Sequence, residues 1–118
     1  MSVEQAVKDS FQTQTPNGFL YRIAEDFPAF KGHFDAYAVL PAVCQISLCS
    51  DAASRLLGYP VQLRTLKRAK FLRPVLPQTD ILVCLSSRPD GSFLAELINA
   101  KDSAKISQLT LQFTEKSK

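Results

Sequence analysis

The chain has 118 residues, 46% hydrophobic and 21% charged, with a formal net charge of +3. That length fits one domain, residues 1–118, and the composition is that of a folded globule rather than a disordered segment. No run of about 18 apolar residues occurs, so no membrane-crossing helix is expected. The opening residues, MSVEQAVKDSF, lack the basic and apolar regions of a secretory signal. Three cysteines, Cys44, Cys49 and Cys84, are an odd number and have no metal-ligand spacing with the single histidine, His33. Free thiols in a reducing cytoplasm account for them, and neither a metal nor a cofactor is expected. The charge is too small to point to nucleic acid, and no nucleic-acid motif accompanies it.

Residues 3–12 fit a short amphipathic helix or a first strand equally well. Pro16-Asn17-Gly18 is a turn signal, and FLYRIAED after it reads as a strand from about 19 to 25. Phe27 to Ala38 reads as a loop carrying His33. From Leu40 the pattern changes: Val43, Ile46, Leu48, Cys49, Ala52, Ala53 and Leu56 cover most of a cylinder. This predicts a helix of about 16 residues buried on more than one side, with Cys44 and Cys49 as small core residues. Pro41 suits its first turn, and Gly58 followed by Pro60 stops it. Four strands follow. LRTLKRAKFL ends at Pro74, ILVCLSSR starts at Ile81, and FLAELINA starts at Phe93 after a Pro89-Asp90-Gly91 turn. KISQLTLQFT runs from Lys105, with Ile106, Leu109, Leu111 and Phe113 as its apolar members. A single helix followed by a run of strands predicts an α+β fold, an antiparallel sheet curled around the helix.

Two features carry chemistry. His33 lies between Gly32 and Phe34, a short loop ahead of Pro41. A base beside the unpaired amides of a helix start suits carbonyl chemistry, although an exposed loop histidine fits the local spacing equally well. Arg64, Lys67, Arg68, Lys70 and Arg73 crowd into one short stretch. Such a patch attracts an acidic protein, a phosphate group or nucleic acid, while a solvated strand face is the plainer account.

The stretch GHFDAYAVLPAVCQI resembles the signature of the β-hydroxyacyl-acyl-carrier-protein dehydratases of the hotdog fold: Gly-His-Phe, a short loop, a hydrophobic residue, Pro-Gly, then the central helix. Gly32-His33-Phe34 and Leu40-Pro41 carry it at the family's separation. Ala69-Lys70-Phe71-Leu72-Arg73-Pro74-Val75-Leu76-Pro77 resembles the family's later strand and turn, so the likeness spans roughly residues 18–115. Gln45 is similar to the branch associated with aryl polyene biosynthesis. The resemblance implies a hotdog fold, an antiparallel sheet wrapped around one long central helix. It also implies a homodimer or higher oligomer whose sheets join edge to edge, with the acyl chain in a tunnel between subunits. The implied reaction dehydrates a 3-hydroxyacyl thioester, on acyl carrier protein or coenzyme A, to the trans-2-enoyl thioester in fatty acid or polyene-type biosynthesis. His33 would take the α-proton, and backbone N–H groups near Ala42 and Val43 would hold the thioester oxygen. Gly32, Phe34, Tyr37 and Pro41 would line the substrate site. Arg64 to Arg73 would dock an acidic carrier protein.

The departures matter as much. The family's helix carboxylate, given by the other subunit, falls fourteen residues after the histidine, which here is Ser47. A serine hydroxyl is too weak an acid to protonate a leaving hydroxyl, and loss of such help costs about a hundred- to ten-thousand-fold in rate. Ser47 can still hydrogen-bond the leaving hydroxyl or position a water, and Asp51, one turn further along the same face and displaced by about 6 Å along the axis, can assist through a bridging water, although a polar interface residue fits Asp51 equally well. Ala42 replaces the family's glycine, and Ala36-Tyr37 replaces its Pro-Gly. Two alternatives therefore stand beside dehydration. One is a catalytically degenerate hotdog subunit that binds acyl thioesters or pairs as a heteromer with a second hotdog subunit. The other is an acyl thioesterase in which Asp51 activates water.

Overall fold

The segment that fits either helix or strand is both in turn. The computed structural model describes residues 2–30 and 39–116. In it helix α1 spans Val3–Ser10, with the Ser2 hydroxyl accepting from the Gln5 amide at 3.1 Å as its N-cap. Strand β1, Phe11–Thr15, follows directly, and a tight turn leads into β2, Gly18–Ile23, its antiparallel partner. Gly18 is required by space: a Cβ there would sit 2.3 Å from the carbonyl oxygen of Val83.

Helix α2 runs Ala42–Leu57, with Pro41 as its N-cap. It ends where Gly58 takes the left-handed conformation (φ 83°) and returns its N–H to the Ser54 carbonyl at 2.9 Å. The remaining strands are β3 (Val61–Phe71), β4 (Thr79–Ser87), β5 (Phe93–Asn99) and β6 (Lys105–Glu115). All six pair antiparallel in the order β1-β2-β4-β5-β6-β3, so β3 crosses to the far edge and lies beside β6. The sheet therefore has a short edge strand, β1, and a long one, β3.

The core lies between the sheet and α2. Tyr21, Ile23, Leu48, Cys49, Ile81, Val83, Leu97, Leu109 and Leu111 are its most buried members. In β6 the alternation slips: Ser107 is buried in phase with Leu109 and Leu111, and Ile106 is buried as well, as the extra residue of a bulge opposite the step from Leu97 to Ile98.

Two expectations are amended. The sheet carries two helices, not one, because α1 packs beside α2. And α2 is buried on one side only within a single chain: Cys44, Gln45, Leu48, Cys49, Ala52 and Ala53 face the core, whereas Val43 is 63% exposed and Leu56 and Leu57 are also exposed. The apolar residues expected to need a second wall have none among the described residues. No helix among the described residues is long and apolar enough to cross a membrane.

Candidate functional site

The start of α2 is the first part of the candidate site. A proline N-cap has no side chain that can accept, and no acidic residue occupies the first turn. The N–H groups of Ala42 and Val43 thus keep no acceptor among the described residues, as the geometry of a helix start dictates. A cavity of about 370 Å³ opens here, lined by Pro41, Ala42, Gln45, Phe71, Leu72 and Arg73 among others. The approach is fixed by the Leu40 N–H, which donates to the Val75 carbonyl at 2.8 Å. This links the two sequence stretches that carry the family resemblance. Gln45 is buried here, its Oε1 accepting from the Ser107 hydroxyl at 2.7 Å.

Ser47 and Asp51 face a different, larger cavity of about 550 Å³, between α1, the outer face of α2 and the start of β3. The Ser47 hydroxyl donates to the Val43 carbonyl at 3.1 Å, so its proton is used within the helix. Asp51, 9% exposed in its side chain, is held by two donors on one oxygen. The Tyr21 hydroxyl donates to Oδ2 at 2.5 Å and Arg55 Nε at 2.7 Å, while the Arg55 guanidinium lies 3.8 Å from the centre of the Phe11 ring. Burial, and then the Asp51 carboxylate beside it, push the Tyr21 hydroxyl well above its ordinary pKa, which keeps it a donor. The one-turn spacing of Asp51 to Arg55 was legible in sequence. Tyr21, thirty residues away, carried no local signal.

Within one chain, then, the helix-start amides and the Ser47–Asp51 face open into separate cavities. His33, Gly32, Phe34 and Tyr37, and the Ala36 that replaces the family's proline, lie outside the described residues.

The basic residues Arg64, Lys67, Arg68 and Lys70 lie exposed on edge strand β3, and Arg73 lies just beyond it. Lys67 pairs with Asp90 at 2.9 Å, and Arg73 reaches Asp102 at 3.8 Å. Arg64, Arg68 and Lys70 have no ion-pair partner among the described residues. Leu66, Phe71, Leu72 and Leu76 add exposed apolar surface along the same edge. The cysteines are free; Cys44 and Cys49 are buried, and burial pushes the Cys49 thiol up to about 12. No cluster of metal-ligating side chains occurs among the described residues.

Comparison with known proteins bears on these cavities. The ApeI-like family, described as ApeI dehydratase, matches residues 10–110. No curated protein matches the sequence. Among solved structures, the chain is similar to the dehydratase heterocomplex ApeI:P from Xenorhabdus doucetiae, at 18% identity and a TM-score of 0.69, over 89% of this chain and 94% of that one. It is also similar to the PaaI protein of the Escherichia coli phenylacetic acid degradation operon (11% identity, TM-score 0.61, 96% and 89% covered). A 1,4-dihydroxy-2-naphthoyl-CoA thioesterase from Synechocystis matches at 14% identity and a TM-score of 0.57, over 81% and 80% of the two chains. At these identities the likenesses establish the fold, a hotdog-like antiparallel sheet with helices.

Proposed function

The chain belongs to the ApeI-like dehydratase family, and from that membership we propose that it dehydrates 3-hydroxyacyl thioesters to trans-2-enoyl thioesters, with His33 as the base. The imidazole takes the α-proton, the electron pair forms the Cα–Cβ double bond, and the imidazolium passes its proton to the β-hydroxyl, with Ser47 or Asp51 assisting, so that it leaves as water. As the α-proton departs, negative charge grows on the thioester oxygen. The uncapped Ala42 and Val43 amides answer that charge without reorganising. Gly32, Phe34, Tyr37 and Pro41 line the substrate on this reading. No cofactor or metal enters the reaction.

The observation that carries the proposal is the separation of the two half-sites within one chain. A site assembled from the helix start of one subunit and the Ser47–Asp51 face of another needs that separation. Two further features support a second subunit: the open outer face of α2, and the unpaired edge of β3 with its exposed apolar residues. Edge-to-edge pairing uses the backbone of β3 and leaves its side chains on the sheet faces. Arg64, Lys67, Arg68, Lys70 and Arg73 therefore stay available to an acidic carrier protein. On this reading the paired sheets wrap α2 as the central helix of each subunit.

Ser47 favours a second reading. If the other subunit is a different hotdog chain with a carboxylate at the matching helix position, His33 of this chain and that carboxylate make one complete site per heteromer. The neighbour from Xenorhabdus doucetiae is a heterocomplex, which supports this arrangement. Ser47→Glu discriminates. The purified wild-type chain and the variant are incubated with 3-hydroxyacyl carrier protein, and enoyl product and free acid are both followed by mass. Enoyl product from wild type alone supports a self-sufficient dehydratase. Enoyl product only from the variant supports the accessory or heteromeric subunit. Free acid, lost in Asp51→Asn, supports a thioesterase, and no product from either protein refutes the proposal.

A further inference from the structure

Gln45 has no role in the reaction as described, yet it is a buried amide beside the helix start. The residue is 3% exposed, and its partner Ser107 is fully buried. The Ser107 hydroxyl donates to Oε1 at 2.7 Å, so the oxygen is the end of the amide that meets β6. The amide nitrogen has two N–H donors and no acceptor among the described residues. Gln45 is the fourth residue of α2, and helical side chains lean back toward the N-terminus. The amide is thereby carried over the turn that holds the unpaired Ala42 and Val43 N–H groups, and Gln45 and Ala42 line the same cavity.

A purely structural pair is a poor account of this arrangement. Two apolar side chains of similar volume would join α2 to β6 at least as well, because a buried polar pair recovers little beyond its desolvation cost.

We infer that Gln45 donates an amide N–H to the thioester oxygen, joining the Ala42 and Val43 amides as a third donor where charge develops, with Ser107 as the residue that positions it. This rests on the thioester reading above. The test is made on the intact wild-type protein, labelled with ¹⁵N and titrated with a 3-hydroxyacyl pantetheine analogue in which a methylene replaces the sulfur. That probe keeps the carbonyl oxygen and cannot be hydrolysed at a thioester bond. The Gln45 side-chain signal is assigned by its disappearance in Gln45→Met. The expected result is that the Gln45 NH₂ signal and the Ala42 and Val43 amides shift together along one binding curve. Gln45→Met should then weaken binding by about five- to tenfold, the loss of one hydrogen bond to a carbonyl. Ser107→Ala should weaken it less, and neither variant should shift the pH profile of turnover. If Ala42 and Val43 shift while the Gln45 signal stays still, Gln45 is only a core residue and the inference is overturned. If none of the three moves, the thioester reading fails, and this inference fails with it.

Discussion

Replacing Asp51 by alanine removes the acceptor of two donors at once, and the burial of each donor sets the cost. Tyr21 is fully buried, and its hydroxyl has Asp51 as its partner at 2.5 Å. Stranding a buried hydroxyl costs about 1–3 kcal/mol. Arg55 is about a third exposed and keeps both water and its stacking on Phe11, so losing its carboxylate adds only about 0–1 kcal/mol. Asp51→Ala is therefore expected to destabilise the fold by about 1–4 kcal/mol. Tyr21→Phe removes a donor and leaves the carboxylate with Arg55, so it should cost about 1–2 kcal/mol. Asp51→Asn retains an acceptor for Tyr21 and should cost less than the alanine variant. With a urea slope of about 1.5 kcal/mol per M, Asp51→Ala lowers the midpoint by about 0.7–2.7 M. The double variant should fall short of the sum of the singles by about 1 kcal/mol, because both remove the same bond. Urea unfolding followed by circular dichroism, at one fixed protein concentration, measures the wild type and all four variants. A midpoint for Asp51→Ala within about 0.3 M of wild type, or strict additivity in the cycle, would refute the assignment of Asp51 as the anchor of Tyr21 and Arg55.

Gly18→Ala should be costly for a steric reason, since the added carbon would lie 2.3 Å from a backbone oxygen that cannot rotate away. A loss of about 2 kcal/mol or more in the same urea assay is expected, and wild-type stability would contradict the close approach of β2 to β4. The Asp90 carboxyl is held well below the usual carboxylate range by its bonds to the Lys67 ammonium and to the hydroxyl and amide of Ser92. The folded state therefore binds fewer protons there than the unfolded chain, so the contribution is complete above about pH 4 and fades as pH falls below it. Melting temperatures of wild type and Asp90→Asn should differ at pH 7 and draw together as pH falls below about 4; a gap as large at pH 2 as at pH 7 would count against this. Cys44 and Cys49 should resist a thiol reagent at pH 8 in the folded protein and react once urea unfolds it, whereas rapid native labelling would contradict their burial.

Much of the fold could be read from local pattern. The last strands and the helix after Pro41 announce themselves by alternation, by cylinder coverage, and by Gly58 at the helix end. What sequence left open has physical causes. Residues 3–15 switch from helix to strand at Phe11 without a glycine or proline to mark the change. The phase slip at Ile106 and Ser107 belongs to a bulge that pairing with β5 imposes. The apolar outer face of α2 was read as requiring burial, and it finds no cover among the described residues; composition alone does not distinguish a face covered by its own chain from one left open. The candidate site divides in the same way. The helix start, Ser47 and Asp51 were legible by spacing, but the cavities that separate them were not. The bonds from Tyr21 to Asp51 and from Ser107 to Gln45 join residues far apart in the chain, and only the fold brings them together.

The central claim is that His33 is the base of a thioester dehydratase site. It is tested most directly by intact-protein mass measurement of a 3-hydroxyacyl carrier protein incubated with the wild-type chain and with His33→Ala, each in the presence of any hotdog subunit that copurifies. The account predicts that the carrier's acyl group loses one water with wild type and stays intact with the variant. Equal loss of water with both proteins would contradict it.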